Sequence, residues 1–298
     1  MRKIVSISYL FILKMFNLLY NYLGDFMLEN IIKYIIFGLV QGFTEPLPIS
    51  SSGHLVLLRY LFNTNAFDDL TFEIVLNFAS FLAIFWIFRN DIFKLIKSFF
   101  TYIFKSDKRK DKVIKSDFKY AWLIVLGSIP AGLVGILFKD TIETLLADNT
   151  KVLGIAFLIT AAMLFLVRKL NGNKKDEDIT WVDAVVIGLF QMAALMPGIS
   201  RSGAVLVGCL IVGLSRESSL KYAFMLYLPV SIGSFALSIK DLLEVDTSLL
   251  VPYALGFVAS GIMTYFASLW FFDTVKKGRL AKFSIYLLIL GITVLIFI

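Results

Sequence analysis

The chain is poor in the side chains that hold transition metals and form crosslinks. Its 298 residues include one cysteine, Cys209, and one histidine, His54. A lone cysteine excludes an internal disulfide, and a structural or catalytic zinc site needs three or four nitrogen, sulfur or oxygen ligands. The counts exclude a disulfide scaffold and argue against a zinc enzyme, and they favour chemistry based on oxygen ligands with a single imidazole.

Charged residues are also scarce. They make up 17% of the chain against 58% hydrophobic residues, and apolar runs recur along its whole length. Several runs approach the roughly 20 residues that cross a bilayer, so the composition predicts a polytopic α-helical membrane protein. The formal charge of +7 does not indicate nucleic acid, because the lysines and arginines cluster in short loops, as the positive-inside rule expects. We therefore expect lipid, and no nucleic acid, as a partner.

The hydropathy pattern predicts six full-length spans. The loop between the first two, "FKSDKRKDKVIKSD", carries six lysines and arginines and is expected in the cytoplasm. The later loops then alternate between acidic outside loops and basic inside loops, in one consistent topology. The spans are predicted at 72–88, 120–138, 152–167, 220–239, 249–272 and 282–298.

Two further stretches, around 30–62 and 182–214, read as interrupted helices. Pro46 and Pro48 stop the first, and Pro197–Gly198 stops the second, because proline removes a backbone donor and disfavours helix in the residue before it. Each stretch is predicted to be a re-entrant hairpin that returns to the side it entered from. The first would open to the outside and the second to the cytoplasm.

The two hairpins are also related in sequence. A shift of 150 residues without a gap pairs Gln41 with Gln191, and it pairs the S-x-S-G segment at 50–53 with that at 200–203. Three spans follow each hairpin. Because three is an odd number of crossings, the second half must lie upside down relative to the first. We predict an all-α polytopic membrane protein with one membrane domain, 1–298. It is an inverted-topology repeat, 27–170 and 181–298, each half a re-entrant helix hairpin plus three transmembrane helices.

Residues 1–26 have two interpretations. They form an extra N-terminal helix, or they are an over-extended start, since Met27 followed by "LENIIKYIIFGLVQ" would also begin the protein. They lack a clean cleavage site of small residues, which argues against a removed signal peptide.

The first break carries an unusual set of polar residues. Gln41 and Glu45 are four residues apart, hence on one helix face. Glu45 comes directly before the break at membrane depth, where an ionisable residue is expensive and indicates a functional site. The alternative is a structural carboxylate that faces a cavity.

Three serines, Ser50–Ser52, follow the break and begin the second half-helix. The first N–H groups of a helix and the positive end of its dipole bind anions, most often phosphate. Ordinary N-capping accounts for one serine but not for three. His54 lies three residues beyond Ser51, so both can face the same space, which favours general acid–base work over a structural histidine.

Arg201 occupies the first turn after the second break, where a cation opposes the helix dipole. No acidic residue lies near it in sequence between Asp183 and Glu217, so it needs an anion from elsewhere, either Glu45 or a bound phosphate. Glu45 together with Glu73 could hold Mg²⁺ or Ca²⁺, which take oxygen ligands. Glu73 is explained equally well as a structural polar residue near a helix end. The inventory fits cleavage of a phosphate ester or diphosphate in or near lipid.

Two segments, "QGFTEPLPISSSGH" and "PGISRSG", closely resemble the signature segments of bacterial undecaprenyl-diphosphate phosphatases of the bacitracin-resistance type. The resemblance extends in register from about Met27 to the C terminus, including "TFEIVLNFASFLAIFW". It implies an inverted-repeat fold in the plasma membrane, with an active site on the outer side that removes the terminal phosphate of undecaprenyl diphosphate. It also implies a divalent metal, recycling of the lipid carrier for peptidoglycan synthesis, and bacitracin resistance.

The resemblance also implies residue roles. The first position of the family's acidic pair can be glutamate, whereas this chain has Gln41, which cannot supply charge, so Glu45 has to supply the essential carboxylate. Either Ser51 or an activated water would attack. The predicted catalytic residues are Glu45, Ser51, His54 and Arg201, with Mg²⁺ or Ca²⁺ at Glu45 and Glu73. The predicted substrate-binding residues are Gln41, Ser50, Ser52, Gly53, Ser200, Ser202 and Gly203.

Three alternatives compete with this prediction. Lipid phosphatases of the acid-phosphatase-like type also use S-G-H and S-R segments, but they need a second histidine that this chain lacks. A transporter or flippase of polyprenyl phosphates explains Arg201 and the helix termini, yet it gives less reason for Ser51, His54 and Glu45 to converge. A catalytically dead homologue is suggested by Gln41. The sequence leaves open whether the chain forms a homodimer.

Overall fold

The computed structural model describes residues 25–62, 70–138, 150–243, 245 and 247–298. This part of the chain is almost entirely α-helical, and its one extended pairing is an isolated bridge between Lys174 and Leu214. The helices are α1 (Asp25–Thr44), α2 (Ser51–Phe62), α3 (Leu70–Phe104), α4 (Lys112–Leu137), α5 (Thr150–Val167), α6 (Trp181–Ala193), α7 (Arg201–Ile211), α8 (Arg216–Leu237), α9 (Ile239–Leu243), α10 (Leu250–Lys276) and α11 (Ala281–Phe297).

The predicted class, an all-α membrane protein, is confirmed. Within the described residues, four segments are long and apolar enough to cross a membrane: Thr71–Phe104, Lys112–Leu137, Arg216–Leu237 and Thr247–Lys276. The predicted spans 152–167 and 282–298 lie in α5 and α11, which have 18 and 17 residues and are shorter than those four. The N-terminal segment 1–26 lies outside the described residues, apart from its last two positions.

The first predicted span ends too early in the sequence analysis. It was placed at 72–88, but α3 continues without interruption to Phe104. The charged residues that begin the extension lowered its hydropathy, yet they are paired across helices in the folded chain. Lys221 Nζ lies 2.8 Å from an oxygen of Asp91, and Lys94 Nζ lies 2.9 Å from an oxygen of Asp117.

Both interrupted helices break where the prolines stand. α1 ends at Thr44 and α2 begins at Ser51, so Pro46 and Pro48 lie in the connecting turn. α6 ends at Ala193 and α7 begins at Arg201, with Pro197 in the second turn. We call α1–α2 the first hairpin and α6–α7 the second hairpin, and residues 45–50 and 194–200 are their tips.

Each hairpin packs most closely on a long helix of the other half. α1 runs along α10, and α6 runs along α4. Glycines set the distance in both cases: a Cβ added at Gly38 would come within 2.3 Å of the Gly256 carbonyl oxygen, and one added at Gly188 within 2.5 Å of the Gly127 carbonyl oxygen. Small residues that let two backbones touch are typical of helix contacts in membranes.

This contact generates a stability prediction. Gly38→Ala should lower the free energy of unfolding by about 1–3 kcal/mol, because a backbone atom cannot move aside for the new methyl group. The matched control is Gly132→Ala, where nothing lies within 4 Å of an added Cβ. In that variant the helix preference for alanine, up to about 1 kcal/mol, is unopposed. Thermal unfolding in detergent measures both variants. Equal melting temperatures would show that the α1–α10 contact does not limit stability.

Candidate active site

The two hairpin tips meet and enclose a cavity of about 170 Å³. The Ser202 hydroxyl, from the start of α7, donates to the Leu47 carbonyl oxygen in the first tip at 2.7 Å. The start of α2 and the start of α7 both line this cavity, so the amino-terminal ends of two helices border one space. The lining residues are Glu45, Leu47, Ser50, Ser51, Ser52, Glu73, Asn77, Ala194, Leu195, Ile199, Ser200, Arg201, Ser202 and Tyr227.

The Glu45 carboxylate is the most heavily contacted group in this cavity. The residue is 7% exposed and follows directly on the last residue of α1. Arg201 Nη2 donates to its Oε1 at 2.8 Å, while Gln41 Nε2 donates to its Oε2 at 2.9 Å. The Ser51 hydroxyl donates to the same Oε2. The anion that Arg201 requires is thus Glu45, supplied by the other hairpin.

Serines cap both helices that begin at the cavity. Ser50 Oγ accepts from the Gly53 N–H at 3.3 Å, and Ser200 Oγ accepts from the Gly203 N–H at 3.1 Å. Ser50 has a φ of 69°, in the left-handed region that non-glycine residues seldom adopt, so the tip stores strain at the site. The structure therefore brings four of the predicted substrate-binding residues to the cavity wall, Ser50, Ser52, Ser200 and Ser202.

The remaining predicted substrate-binding residues do not line the cavity. A Cβ added at Gly53 would lie 2.6 Å from the Phe157 ring, and one added at Gly203 would lie 3.2 Å from Cβ of Pro48. These glycines let helices and tips approach closely, which differs from the predicted contact with substrate. Gln41 is fully buried behind Glu45 and acts on the cavity through that carboxylate.

The catalytic role of His54 stays a prediction, and the structure places its imidazole beside the cavity instead of in its wall. The spacing allowed His54 to face the same space as Ser51, but the imidazole does not line the cavity. Its Nδ1 lies 2.7 Å from the Ser50 carbonyl oxygen and its Nε2 lies 2.7 Å from the Tyr286 hydroxyl on α11. The ring also stacks on Tyr286. Both ring nitrogens are therefore engaged away from Glu45, because the backbone of the preceding turn and α11 offer partners that sequence spacing does not reveal.

The oxygen atoms of the cavity fit a metal ion such as Mg²⁺, which takes only part of its ligands from the protein. Within the described residues no group of three or more His, Cys, Asp or Glu could hold a metal. Glu73 lines the cavity, but Arg59 Nη2 donates to its carboxylate at 3.1 Å. Mg²⁺ is commonly bound through one or two carboxylates together with water and substrate phosphates. The carboxylates of the cavity fit an ion of this kind that is also bound by a phosphate ligand. They do not form a site in which every ligand comes from the protein.

A second, larger cavity of about 380 Å³ adjoins the first. The two share Glu73, Asn77, Leu195 and Arg201 as lining residues. The rest of the larger cavity is mostly apolar and lies between α4 and the second half of α8. We call it the apolar groove.

Glycines keep the apolar groove wide. Gly132 on α4 and Gly233 on α8 line it, and a Cβ added at either position would meet nothing within 4 Å. Gly135, one helix turn along α4, would contact one atom, Leu195 Cδ1, at 3.9 Å. In contrast to Gly38, these glycines leave space instead of closing it.

Comparison with known proteins places the chain in a family. The family described as "Bacitracin resistance protein BacA" matches residues 34–293. The chain belongs to this family. It is 46% identical over 270 residues to Undecaprenyl-diphosphatase 2 of Bacillus thuringiensis (strain Al Hakam), which covers 90% of this chain and 97% of that protein. It is 44% identical over 269 residues to Undecaprenyl-diphosphatase 1 of Bacillus licheniformis, covering 90% and 98%.

Three residues near the cavity have no role in the predicted site. Asn77 Oδ1 accepts from Gln41 Nε2 at 2.8 Å, and the Tyr227 hydroxyl donates to the Asn77 carbonyl oxygen at 3.3 Å. Asn77 stands four residues after Glu73 on one helix face, and Tyr227 stands 150 residues after Asn77, so spacing and the repeat both pointed to them. Arg59 gave no such signal, because its partner Glu73 lies on another helix.

The buried pair generates a second stability prediction. Removing one partner of a fully buried ion pair costs about 3–5 kcal/mol. Because the Arg201 side chain is 28% exposed, we expect about 1–3 kcal/mol for Arg201→Leu. Adding Glu45→Gln should recover most of that loss, since no unpaired carboxylate then remains. Thermal unfolding of the two single variants and the double variant measures the coupling. A double variant that melts as low as Arg201→Leu would contradict the pairing.

Proposed function

We propose that this protein hydrolyses undecaprenyl diphosphate to undecaprenyl phosphate and inorganic phosphate. This reaction returns the lipid carrier to peptidoglycan synthesis and gives resistance to bacitracin. Membership of the bacitracin-resistance family and the diphosphatase names of the relatives support the proposal. The observation that carries it is the Glu45 carboxylate, which is held between the Ser51 hydroxyl and the Arg201 guanidinium where two helices begin.

The proposed chemistry is phosphoryl transfer between the two helix ends. Arg201 and the amino-terminal ends of α2 and α7 bind the diphosphate and stabilise the charge that develops on it. Arg201 suits this role because its planar fork matches phosphate oxygens. Substrate phosphate would compete with Glu45 for the guanidinium, which would release the carboxylate for proton transfer.

Two routes of attack share the same groups. In the covalent route, Ser51 Oγ attacks the terminal phosphorus and its proton passes to Glu45, to which it already donates. The bond from that phosphorus to the bridging oxygen breaks, and undecaprenyl phosphate leaves. Water then attacks the phosphoserine, Glu45 returns a proton to Ser51 Oγ, and inorganic phosphate leaves. In the direct route a water activated by Glu45 attacks, and no serine ester forms.

His54 and the divalent metal have supporting places in this proposal. The contacts of His54 to the Ser50 carbonyl and Tyr286 suit orientation of the serine turn better than proton transfer. Mg²⁺ or Ca²⁺ would be held by Glu45 and Glu73 together with the diphosphate, and when bound it would neutralise phosphate charge. Gln41 would orient Glu45 through its side-chain amide. This role needs no charge, so it is compatible with glutamine at a position where the family can have glutamate.

We further propose that the site faces the outer side of the plasma membrane. The basic loops that follow α3 and α5 mark the cytoplasmic side. Glu73 lies in the first turns of α3, at the end remote from its basic loop, and Ile136 and Leu237 of the groove lie at the far ends of α4 and α8. Cavity and groove are thus grouped away from the basic loops.

An inverted repeat accounts for this arrangement. Ser51 and Arg201 are equivalent under the 150-residue shift, and both contact Glu45. The reciprocal packing of α1 on α10 and of α6 on α4 supports two halves that exchange contacts.

The test of the proposed function is phosphate release from undecaprenyl diphosphate by purified protein in detergent, with Mg²⁺, Ca²⁺ or EDTA. Glu45→Gln should lower the rate by about 100-fold or more, because general-base catalysis contributes about that factor. EDTA should abolish release. Leu189→Ala on the exposed face of α6 is the control and should keep the wild-type rate. Folded wild type that releases no phosphate would favour a transporter over a phosphatase.

The apolar groove generates a prediction about the substrate tail. If the polyprenyl chain lies there, Gly132→Leu displaces at least two of its methylene groups, each worth about 0.8 kcal/mol, and KM for undecaprenyl diphosphate rises about tenfold. Hydrolysis of a short prenyl diphosphate such as farnesyl diphosphate should change little. Leu133→Phe, at a neighbouring position that does not line the groove, is the control. Equal effects on long and short substrates would show that the tail lies elsewhere.

A further inference from the structure

The second hairpin carries a buried amide that the proposed mechanism does not use. Gln191 on α6 is 1% exposed, and neither its Oε1 nor its Nε2 has a hydrogen-bond partner. A buried amide without partners costs about 1–3 kcal/mol. Gln191 is the counterpart of Gln41 under the 150-residue shift, and Gln41 donates to Glu45 directly.

Gln191 borders a small cavity behind the active site. Its volume is about 20 Å³, and a single water molecule needs about 10–15 Å³. Most of its wall is apolar, from residues of α3, α7, α8 and α10. The other polar residues on the wall are Glu45, Arg201, Ser202 and Tyr227. A water there would therefore have the groups of the proposed active site as its other hydrogen-bond partners.

We propose that Gln191 is a positioning residue, which holds one buried water against the rear of the Glu45–Arg201 pair. The inference deepens the proposed function and rests on it. A water molecule with two to four polar partners satisfies the amide and links α6 to the ion pair. Through this water, Gln191 holds the carboxylate and the guanidinium in position. Gln191 itself touches no reacting atom.

The activity test uses Gln191→Leu, which keeps the side-chain volume and removes the amide. We expect kcat for undecaprenyl diphosphate to fall about tenfold, the effect of losing one hydrogen bond to a charged group, with KM unchanged. The melting temperature should not fall, because a buried polar group is replaced by an apolar one. Ala223→Val, which narrows the same cavity and leaves the Gln191 amide in place, should lower kcat similarly. Leu189→Ala on the same helix should change neither constant.

The outcomes separate the inference from the proposed function. If wild type releases no phosphate, the proposed function fails before any variant is compared. If wild type is active and Gln191→Leu turns over at the same rate, or loses kcat only as it loses folded protein, the inference alone is overturned. A high-resolution experimental structure gives an independent test. Density for a water within hydrogen-bond distance of the Gln191 amide is expected, and a cavity without such density would overturn the proposal.

Discussion

Burial of the Glu45 carboxylate at the meeting point of two hairpin tips is the interaction on which the rest of the structure depends. A carboxylate among apolar helices is stable only with partners, and these come from both halves of the chain: Arg201 from the second hairpin, Ser51 and Gln41 from the first. The tips must therefore meet for the charge to be satisfied. Glycine contacts seat α1 closely on α10 and α6 closely on α4, which fixes the position of each hairpin.

The same constraint explains how two hairpins related in sequence by a shift of 150 residues yield one site. Positions that correspond under the 150-residue shift carry different side chains: Glu45 corresponds to Leu195, which also lines the cavity, and Asn77 corresponds to Tyr227, which contacts it. Ser51 and Arg201 occupy the same position of the repeat, and they contact the two different oxygens of one carboxylate. Different side chains at paired positions thus place a carboxylate, a hydroxyl and a guanidinium in contact at two similar helix ends.

Much of this could be predicted from the sequence, because its signals are local. Proline marks both breaks, lysine and arginine mark the loops, and a cation at a helix start requires an anion, so Glu45 could be named as one of two candidate partners of Arg201, beside a bound phosphate. Contacts between distant elements could not. The turn of His54 toward Tyr286 depends on α11, and the pairing of Arg59 with Glu73 depends on how α2 meets α3. The extension of α3 was missed because its charges are neutralised only across helices.

In the proposed mechanism catalysis takes place with the two tips joined, and a disulfide between them tests this directly. An added Cβ at Gly203 would lie 3.2 Å from Cβ of Pro48, close to the spacing of about 3.5–4.5 Å in disulfides. Pro48→Cys with Gly203→Cys should form a bond that the buried Cys209 does not disturb. We predict that the oxidised protein releases phosphate from undecaprenyl diphosphate as fast as its own reduced form. Loss of release on oxidation, with recovery on reduction, would show that the tips must separate and would contradict the account.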